Sequence, residues 1–143
     1  MKTRNLSDTG ARRWMVVDDN EEALSIMRQM LLKAGIRQVE CFNSSRDALA
    51  AFEAAPGSYD MVITDFQMPG MDGVELSRRM FQLAPKIKIL LVTGSNAISN
   101  EAADEEGFCG LLQKPFPRTA LQAALDAVNS GKFFTNFTAY PAS

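Results

Sequence analysis

The sequence predicts a doubly wound α/β fold, in which helices cover both faces of a parallel β-sheet. Two observations predict it: five short apolar runs lie along the chain, and segments of helical periodicity separate them. Strands that alternate with helices in this way form βαβ units, which build parallel sheets. The chain has 143 residues and is 46% hydrophobic, so it is long enough to bury the core of one such domain.

The five apolar runs are the predicted strands, numbered here in chain order. Four of them are rich in Val, Ile, Leu or Met, as strands buried inside a sheet are. They span residues 14–17, 38–42, 61–64, 88–92 and 110–113.

The segments between the strands carry one apolar stripe each and begin at residues that favour helix starts. Asn43 or Ser44 is placed to cap the second helix and Asp72 the third, because their short side chains accept hydrogen bonds from free backbone N–H groups. Residues 98–106 are acidic and thinly apolar, so we expect the fourth helix to be short or mobile. The fifth helix is expected to end near Gly131.

These limits predict one domain over residues 13–131. Residues 1–12 are polar and basic and are expected to form a flexible N-terminal arm. Residues 132–143 form a C-terminal tail that mixes four aromatic residues with small polar ones. We interpret this tail as a packed or frayed terminus in preference to a docking segment.

Composition excludes several classes of function. The chain has no histidine, so it cannot form a Ser-His-Asp triad, a Cys-His pair or a His-based zinc site, and it cannot be a phosphohistidine donor. Its formal charge of −2 and pI near 5.2 give no basic surplus for direct binding of nucleic acid. No apolar run approaches the length that spans a bilayer, so we expect no membrane contact and a cytoplasmic location.

Polar residues follow four of the predicted strands at their carboxyl ends, where open α/β sheets bind ligands. In the strand order 2-1-3-4-5 of the flavodoxin-like class, strands 1, 3, 4 and 5 are neighbours, so these groups would converge on one rim of the sheet. The residues are Asp18 and Asp19 after the first strand, Asp65 after the third, Thr93 and Gly94 after the fourth, and Lys114 after the fifth.

Three carboxylates crowded beside one lysine indicate a cation site. Like charges a few ångströms apart repel and raise one another's pKa values unless a cation lies among them. Carboxylate and carbonyl oxygens suit Mg²⁺, with Mn²⁺ as the alternative ion. Once a metal neutralises two carboxylates, the third, Asp65, can attack an incoming phosphoryl group in line and form an aspartyl phosphate. Lys114 can pair with one phosphoryl oxygen, and Thr93 can donate a hydrogen bond to another.

Four motifs together resemble the receiver domain of two-component response regulators, of the CheY-like superfamily, over about residues 13–131. Each motif alone is weak, since an Asp-Asp pair is usually solvated surface and a Lys-Pro pair is usually a turn, but the set is highly specific. The motifs are Val-Val-Asp-Asp-Asn at 16–20, Val-Ile-Thr-Asp-Phe-Gln-Met-Pro-Gly-Met-Asp-Gly at 62–73, Leu-Val-Thr-Gly at 91–94 and Lys-Pro-Phe at 114–116.

The resemblance implies a (βα)5 three-layer sandwich with a magnesium-dependent phosphorylation site at Asp65. By that resemblance, Asp19 and Asp65 would ligate Mg²⁺ directly and Asp18 mainly through water. The backbone carbonyl of Gln67 would complete the protein's share of the ligands.

Further residues would contact or control the phosphoryl group, by the same resemblance. Thr93, Gly94 and Lys114 would contact it, and the peptide bond from Lys114 to Pro115 would be cis. Gln67 and Ser95 would tune how fast water removes it. The donor would be a histidine kinase or a histidine phosphotransfer protein, and phosphorylation would change the affinity for a downstream protein that the sequence does not identify. The domain would assist only its own phosphorylation and dephosphorylation and would not be an enzyme otherwise.

One position departs from the family pattern. The family has a Tyr or Phe three residues before the lysine, and this chain has Leu111 there. An aliphatic side chain cannot repeat the inward turn of an aromatic ring. We therefore expect phosphorylation to survive and its effect on the surface to travel by another route.

Three other interpretations remain open. The chain resembles receivers attached to hybrid histidine kinases, where it would act as a phosphate relay or sink. An aspartyl-phosphate phosphatase of the haloacid-dehalogenase kind needs a second acid two residues after the nucleophile, where this chain has Gln67. A flavin-binding module needs a Ser/Thr/Gly-rich phosphate loop after the first strand, and none is present.

Overall fold

A single six-stranded parallel sheet organises the protein. The computed structural model describes residues 13–136, so the predicted N-terminal arm and residues 137–143 of the tail lie outside the described part of the chain. The sheet order is β2-β1-β3-β4-β5-β6. The strands are β1 (Arg13–Val17), β2 (Val39–Phe42), β3 (Tyr59–Asp65), β4 (Lys88–Thr93), β5 (Gly110–Gln113) and β6 (Phe134–Thr135).

Five α-helices connect the strands within the described residues, and a 3₁₀ turn (Pro56–Ser58) precedes β3. None of them is both long and apolar enough to cross a bilayer. The fourth helix has only six residues, which confirms the prediction that it is short. The helices are α1 (Glu21–Lys33), α2 (Ser45–Ala54), α3 (Gly73–Leu83), α4 (Asn100–Glu105) and α5 (Arg118–Asn129).

Side-chain caps fix where α1 to α4 begin, whereas α5 follows Pro117 without a side-chain cap. Ser44 accepts from the backbone N–H of Asp47 at the start of α2, and Asp72 accepts from that of Glu75 at the start of α3, as predicted. The α1 cap, Asn20, was not predicted. Each cap ends the loop that follows a strand and begins the next helix. The caps therefore also set the direction in which the chain leaves the sheet.

The core lies in two layers, one on each face of the sheet. Helices α1 and α5 cover one face, and α2, α3 and α4 cover the other. Alternate residues of each strand point to opposite faces, so each strand contributes side chains to both layers. Leu90 and Leu91, adjacent on β4, are both fully buried but belong to different layers. The predicted doubly wound fold with strand order 2-1-3-4-5 is therefore confirmed.

The sheet continues past residue 131, where we predicted the domain to end. Strand β6 pairs in parallel with β5 and adds a sixth strand to the predicted five. Phe133 packs against the core layer under α2–α4, and Phe134 packs against the layer under α1 and α5. The aromatic residues of the tail thus supply apolar contacts on both faces, which explains why this segment joins the sheet.

Two leucines of α3 test how much of the stability comes from the core. Leu76 is fully buried, whereas Leu83 is 43% exposed. Leu76→Ala is expected to lower the free energy of unfolding by about 2–5 kcal/mol, because it deletes buried methyl groups and leaves a cavity. Leu83→Ala, the matched control, is expected to change it by about 0.5 kcal/mol or less. Urea unfolding measures both, and equal losses would contradict this description of the core.

Candidate functional site

The carboxyl ends of β1, β3 and β5 bring three carboxylates and one lysine together. Carboxylate oxygens of Asp18, Asp19 and Asp65 all lie within 4.8 Å of one another. Lys114 places its Nζ atom 2.9 Å from Asp18 Oδ2 and 3.5 Å from Asp65 Oδ1. The structure therefore joins the residues that the sequence placed at separate strand ends.

Burial differs among the three acids. Asp18 is 6% exposed, and the side chain of Asp65 is 12% exposed. Asp19 is exposed, and the side chain of Lys114 is one-third exposed. The cluster thus has a sheltered side, where Lys114 bridges two acids, and an open side at Asp19 through which a solvated ion can enter.

Burial and two neighbouring charges shift the pKa of Asp65. Burial raises the pKa of its carboxyl, and the charge of Asp18 raises that pKa further, while Lys114 opposes both. Burial alone would lower the pKa of the Lys114 ammonium, but its contacts with Asp18 and Asp65 outweigh burial and leave that pKa raised. Lys114 therefore stays charged, yet one ammonium does not offset the negative charge around Asp65.

The orientation of Asp18 depends on a residue that sequence reasoning missed. The backbone N–H of Asn20 donates to Asp18 Oδ1 at 2.9 Å, and Asn20 Oδ1 accepts from the Ala23 N–H at 2.8 Å. Asn20 thus caps α1 and holds the Asp18 carboxylate at the same time. The signal was present in the sequence, because Asn20 precedes two glutamates that open an amphipathic helix.

Gly73 explains the tight turn behind Asp65. A Cβ atom at this position would lie 2.3 Å from the backbone carbonyl oxygen of Asp65, closer than any side chain tolerates. The Gly73 N–H donates to the Phe66 carbonyl at 2.7 Å. The start of α3 therefore packs directly against the end of β3 and fixes the backbone that carries Asp65.

The hydroxyl of Thr93 is engaged by its own loop. Thr93 is 2% exposed. Its Oγ1 accepts from the Ser95 N–H at 3.1 Å and donates to the Ser95 carbonyl at 3.2 Å. Gly94 is exposed, and the position of a Cβ atom there is open space. Contact between these residues and a phosphoryl group stays a prediction.

Three further predicted positions have clear locations. Leu111 is 1% exposed and lies on β5 in the core layer under α2–α4. Gln67 is exposed in the loop after β3, and the role of its carbonyl stays a prediction. The peptide bond from Lys114 to Pro115 is cis, as the resemblance implied.

A cavity of about 270 Å³ opens beside the carboxylate cluster, between α1 and the loop after β5. Asp18, Asp65 and Lys114 are its charged lining residues, and the rest of its lining is apolar. Ile26 on α1 borders it and is 51% exposed, although it is a large apolar residue. No sequence motif predicted this cavity, because its lining comes from segments far apart in the chain.

Comparisons with known proteins identify relatives of this chain. The response regulator receiver protein CpdR of Brucella abortus (strain 2308) is 31% identical over 106 residues, which cover 73% of this chain and 86% of CpdR. The C4-dicarboxylate transport transcriptional regulatory protein DctD of Rhizobium meliloti (strain 1021) is 36% identical over 102 residues, which cover 71% of this chain but only 22% of DctD. A crystal structure of a response regulator receiver domain protein from Clostridium thermocellum matches with a TM-score of 0.75 and 29% identity, covering 84% of this chain and 95% of that one.

The family model of the response regulator receiver domain matches residues 14–126. That segment holds all three acids of the cluster, Thr93 and Lys114, together with β2 to β5 and all of β1 except Arg13. The chain therefore belongs to the response regulator receiver domain family of two-component signalling proteins.

Proposed function

We propose that Asp65 accepts a phosphoryl group from a phosphohistidine in a Mg²⁺-dependent reaction, and that phosphorylation changes the affinity of this domain for a partner protein. The donor is a histidine kinase or a histidine phosphotransfer protein. The observation that carries this proposal is the cluster of Asp18, Asp19 and Asp65 at the strand ends, bridged on one side by Lys114.

The donor set of the cluster fits a hard divalent cation. Its atoms are carboxylate oxygens only, within 4.8 Å of one another, and three negative charges face one ammonium. Mg²⁺ prefers oxygen ligands of this kind and keeps several waters, so the exposed Asp19 side of the cluster suits it. Asp19 and Asp65 would hold the ion directly, with Asp18 acting through water and Gln67 through its carbonyl. When bound, the ion supplies positive charge that offsets the acids and the phosphoryl oxygens.

Asp65 and Asp18 both border the apolar cavity and both contact Lys114. Asp18 is already held by the Asn20 N–H and by Lys114 at 2.9 Å, so Asp65, at the end of β3, is the proposed acceptor. A carboxylate oxygen of Asp65 forms a bond to phosphorus while the bond from phosphorus to the donor's imidazole nitrogen breaks. The bonding electrons return to that nitrogen, and with a proton on its other nitrogen the donor leaves as a neutral imidazole. Lys114 pairs with a phosphoryl oxygen, and Thr93 donates a hydrogen bond to another.

The cavity beside Asp65 offers a binding place for the donor protein. An exposed Ile26 next to an apolar cavity of about 270 Å³ is a surface that an apolar side chain of a partner can fill. The phosphohistidine would then approach Asp65 from the α1 side of the rim. The docked partner would thereby hold its phosphohistidine near Asp65. The imidazole comes from the partner because this chain has no histidine.

Trapping the adduct tests the acceptor directly. With Mg²⁺ and phosphoramidate, a small donor that also carries a nitrogen–phosphorus bond, the protein is expected to gain one phosphoryl group at Asp65, and beryllofluoride is expected to bind at the same residue. Asp65→Asn is expected to abolish both, because the amide is not a nucleophile. Intact-mass measurement and ¹⁹F NMR give the readouts. Asp47→Asn, which changes an exposed acid on α2, is the control and is expected to react like the wild type. An adduct that persists in Asp65→Asn would refute the assignment.

Metal binding is tested by its effect on stability. At a Mg²⁺ concentration of about one hundred times Kd, the wild type is expected to gain about 2.7 kcal/mol of unfolding free energy, since the ion binds only the folded cluster. Asp19→Asn removes a ligand charge and is expected to weaken Mg²⁺ binding by about tenfold or more. Asp104→Asn, an exposed acid on α4, is the matched control. Urea unfolding over a Mg²⁺ titration measures the gain, and equal gains in all three proteins would contradict the proposed ligands.

A further inference from the structure

The C-terminal strap, residues 133–136, closes the outer edge of β5. Phe134 pairs with Gly110 and Thr135 with Leu111 in the parallel ladder. A Cβ atom on Gly110 would lie 2.8 Å from the carbonyl oxygen of Phe134. The strap can therefore approach β5 this closely because residue 110 is glycine.

A side chain extends the pairing beyond the two residues of β6. Asn136 Oδ1 accepts from the backbone N–H of Gln113 at 2.7 Å, and Asn136 Nδ2 donates to the Gln113 carbonyl at 3.1 Å. One amide thus satisfies both backbone groups at the end of β5, directly before Lys114. The strap is bound at both ends of β5 and does not depend on strand pairing alone.

A second contact ties the strap to α4. The Thr135 hydroxyl donates to Asn100 Oδ1 at 2.8 Å. Asn100 is the first residue of α4, and Ser99 caps that helix by accepting from the Ala102 N–H at 3.0 Å. Any displacement of the amino-terminal end of α4 therefore acts on the Asn100–Thr135 hydrogen bond.

The loop that leads into α4 begins at the phosphoryl site. Thr93 and Ser95 exchange two hydrogen bonds at its start, and the Ser95 hydroxyl accepts from the Ala97 N–H at 3.3 Å. Residues 94–99 therefore connect the Thr93 hydroxyl to the Asn100–Thr135 contact in one continuous segment. On β5, the aliphatic Leu111 lies beside Thr135 and is already buried.

We propose that phosphorylation of Asp65 releases the C-terminal strap from β5, and that this release is how the domain signals without an aromatic residue at position 111. When the Thr93 hydroxyl donates to a phosphoryl oxygen, it no longer donates to the Ser95 carbonyl. The rotation that aims the hydroxyl at the phosphoryl group also weakens its acceptance from the Ser95 N–H, so the loop shifts. The start of α4 moves with the loop, the Asn100–Thr135 hydrogen bond breaks, and β6 separates from β5. This inference rests on the proposed phosphorylation of Asp65.

Hydrogen exchange on the full chain tests the release. In Mg²⁺, formation of the beryllofluoride adduct is expected to speed amide exchange in residues 133–136 and at Gln113 by about fivefold, the factor that corresponds to losing one ordinary hydrogen bond. Unchanged exchange with the adduct present at Asp65 would overturn the release while leaving the proposed function intact. Failure to form the adduct would instead overturn the proposed function.

Two variants separate a coupled strap from a static cover. Thr135→Val keeps the side-chain volume and removes the hydroxyl, so it is expected to speed exchange of the strap without beryllofluoride and to reduce the further change on adduct formation. Gly110→Ala is expected to loosen the strap more strongly, although its Cβ also meets Leu90 at 3.0 Å, which makes Thr135→Val the decisive variant.

The controls change the same residue types away from the strap. Thr119→Val lies on the exposed side of α5, and Gly57→Ala adds a Cβ atom where nothing lies within 4 Å. Both are expected to leave strap exchange and its response to the adduct as in the wild type. If Thr135→Val keeps the full wild-type response to the adduct, the Asn100–Thr135 contact does not carry the signal and the proposal fails.

Discussion

Repulsion among three carboxylates is the constraint on which the rest of the site depends. A parallel sheet gathers the ends of its strands at one rim, and here those ends carry Asp18, Asp19 and Asp65 within 4.8 Å. One lysine contacts two of them, so the charge is only partly balanced. Burial disfavours the ionised form of Asp65 further and raises its pKa. The cluster therefore holds more acidic groups than cationic ones, and added positive charge, such as a divalent cation, would relieve the repulsion on Asp65.

The surrounding structure holds this unfavourable arrangement in place by short local contacts. Asn20 caps α1 while its backbone N–H binds Asp18, and Gly73 lets α3 start directly against the backbone of Asp65. Two core layers anchor the strands from which these residues project. Because the acids sit at the ends of rigid elements, their repulsion cannot be relieved by moving apart. Preorganisation of this kind supports the proposed in-line attack by Asp65.

The sequence predicted the strands, the strand order and the gathering of the acids with Lys114, because apolar runs and strand-end residues are local signals that topology converts into proximity. It did not predict the sixth strand, since β6 has only two residues and its apolar contacts come from both faces of a sheet already built. The cavity near Ile26 was missed for a similar reason, because it is formed by α1 and a loop from the far end of the chain. The sequence carries a signal for Asn20 as the cap of α1, but it carries none for the hydrogen bond from the Asn20 N–H to Asp18. Pattern reasoning thus identifies what each segment is and leaves most of its non-local partners to be found in three dimensions.

The Asn136 amide limits how copies of this protein can associate through the edge of the sheet at high concentration. An unpaired strand edge presents free N–H and C=O groups on which another chain can add a strand. At Gln113 those two groups are occupied by a side chain, which has no backbone of its own to continue the ladder. The sheet is thereby terminated at this end of β5, and edge-to-edge association of copies is blocked there by a single amide.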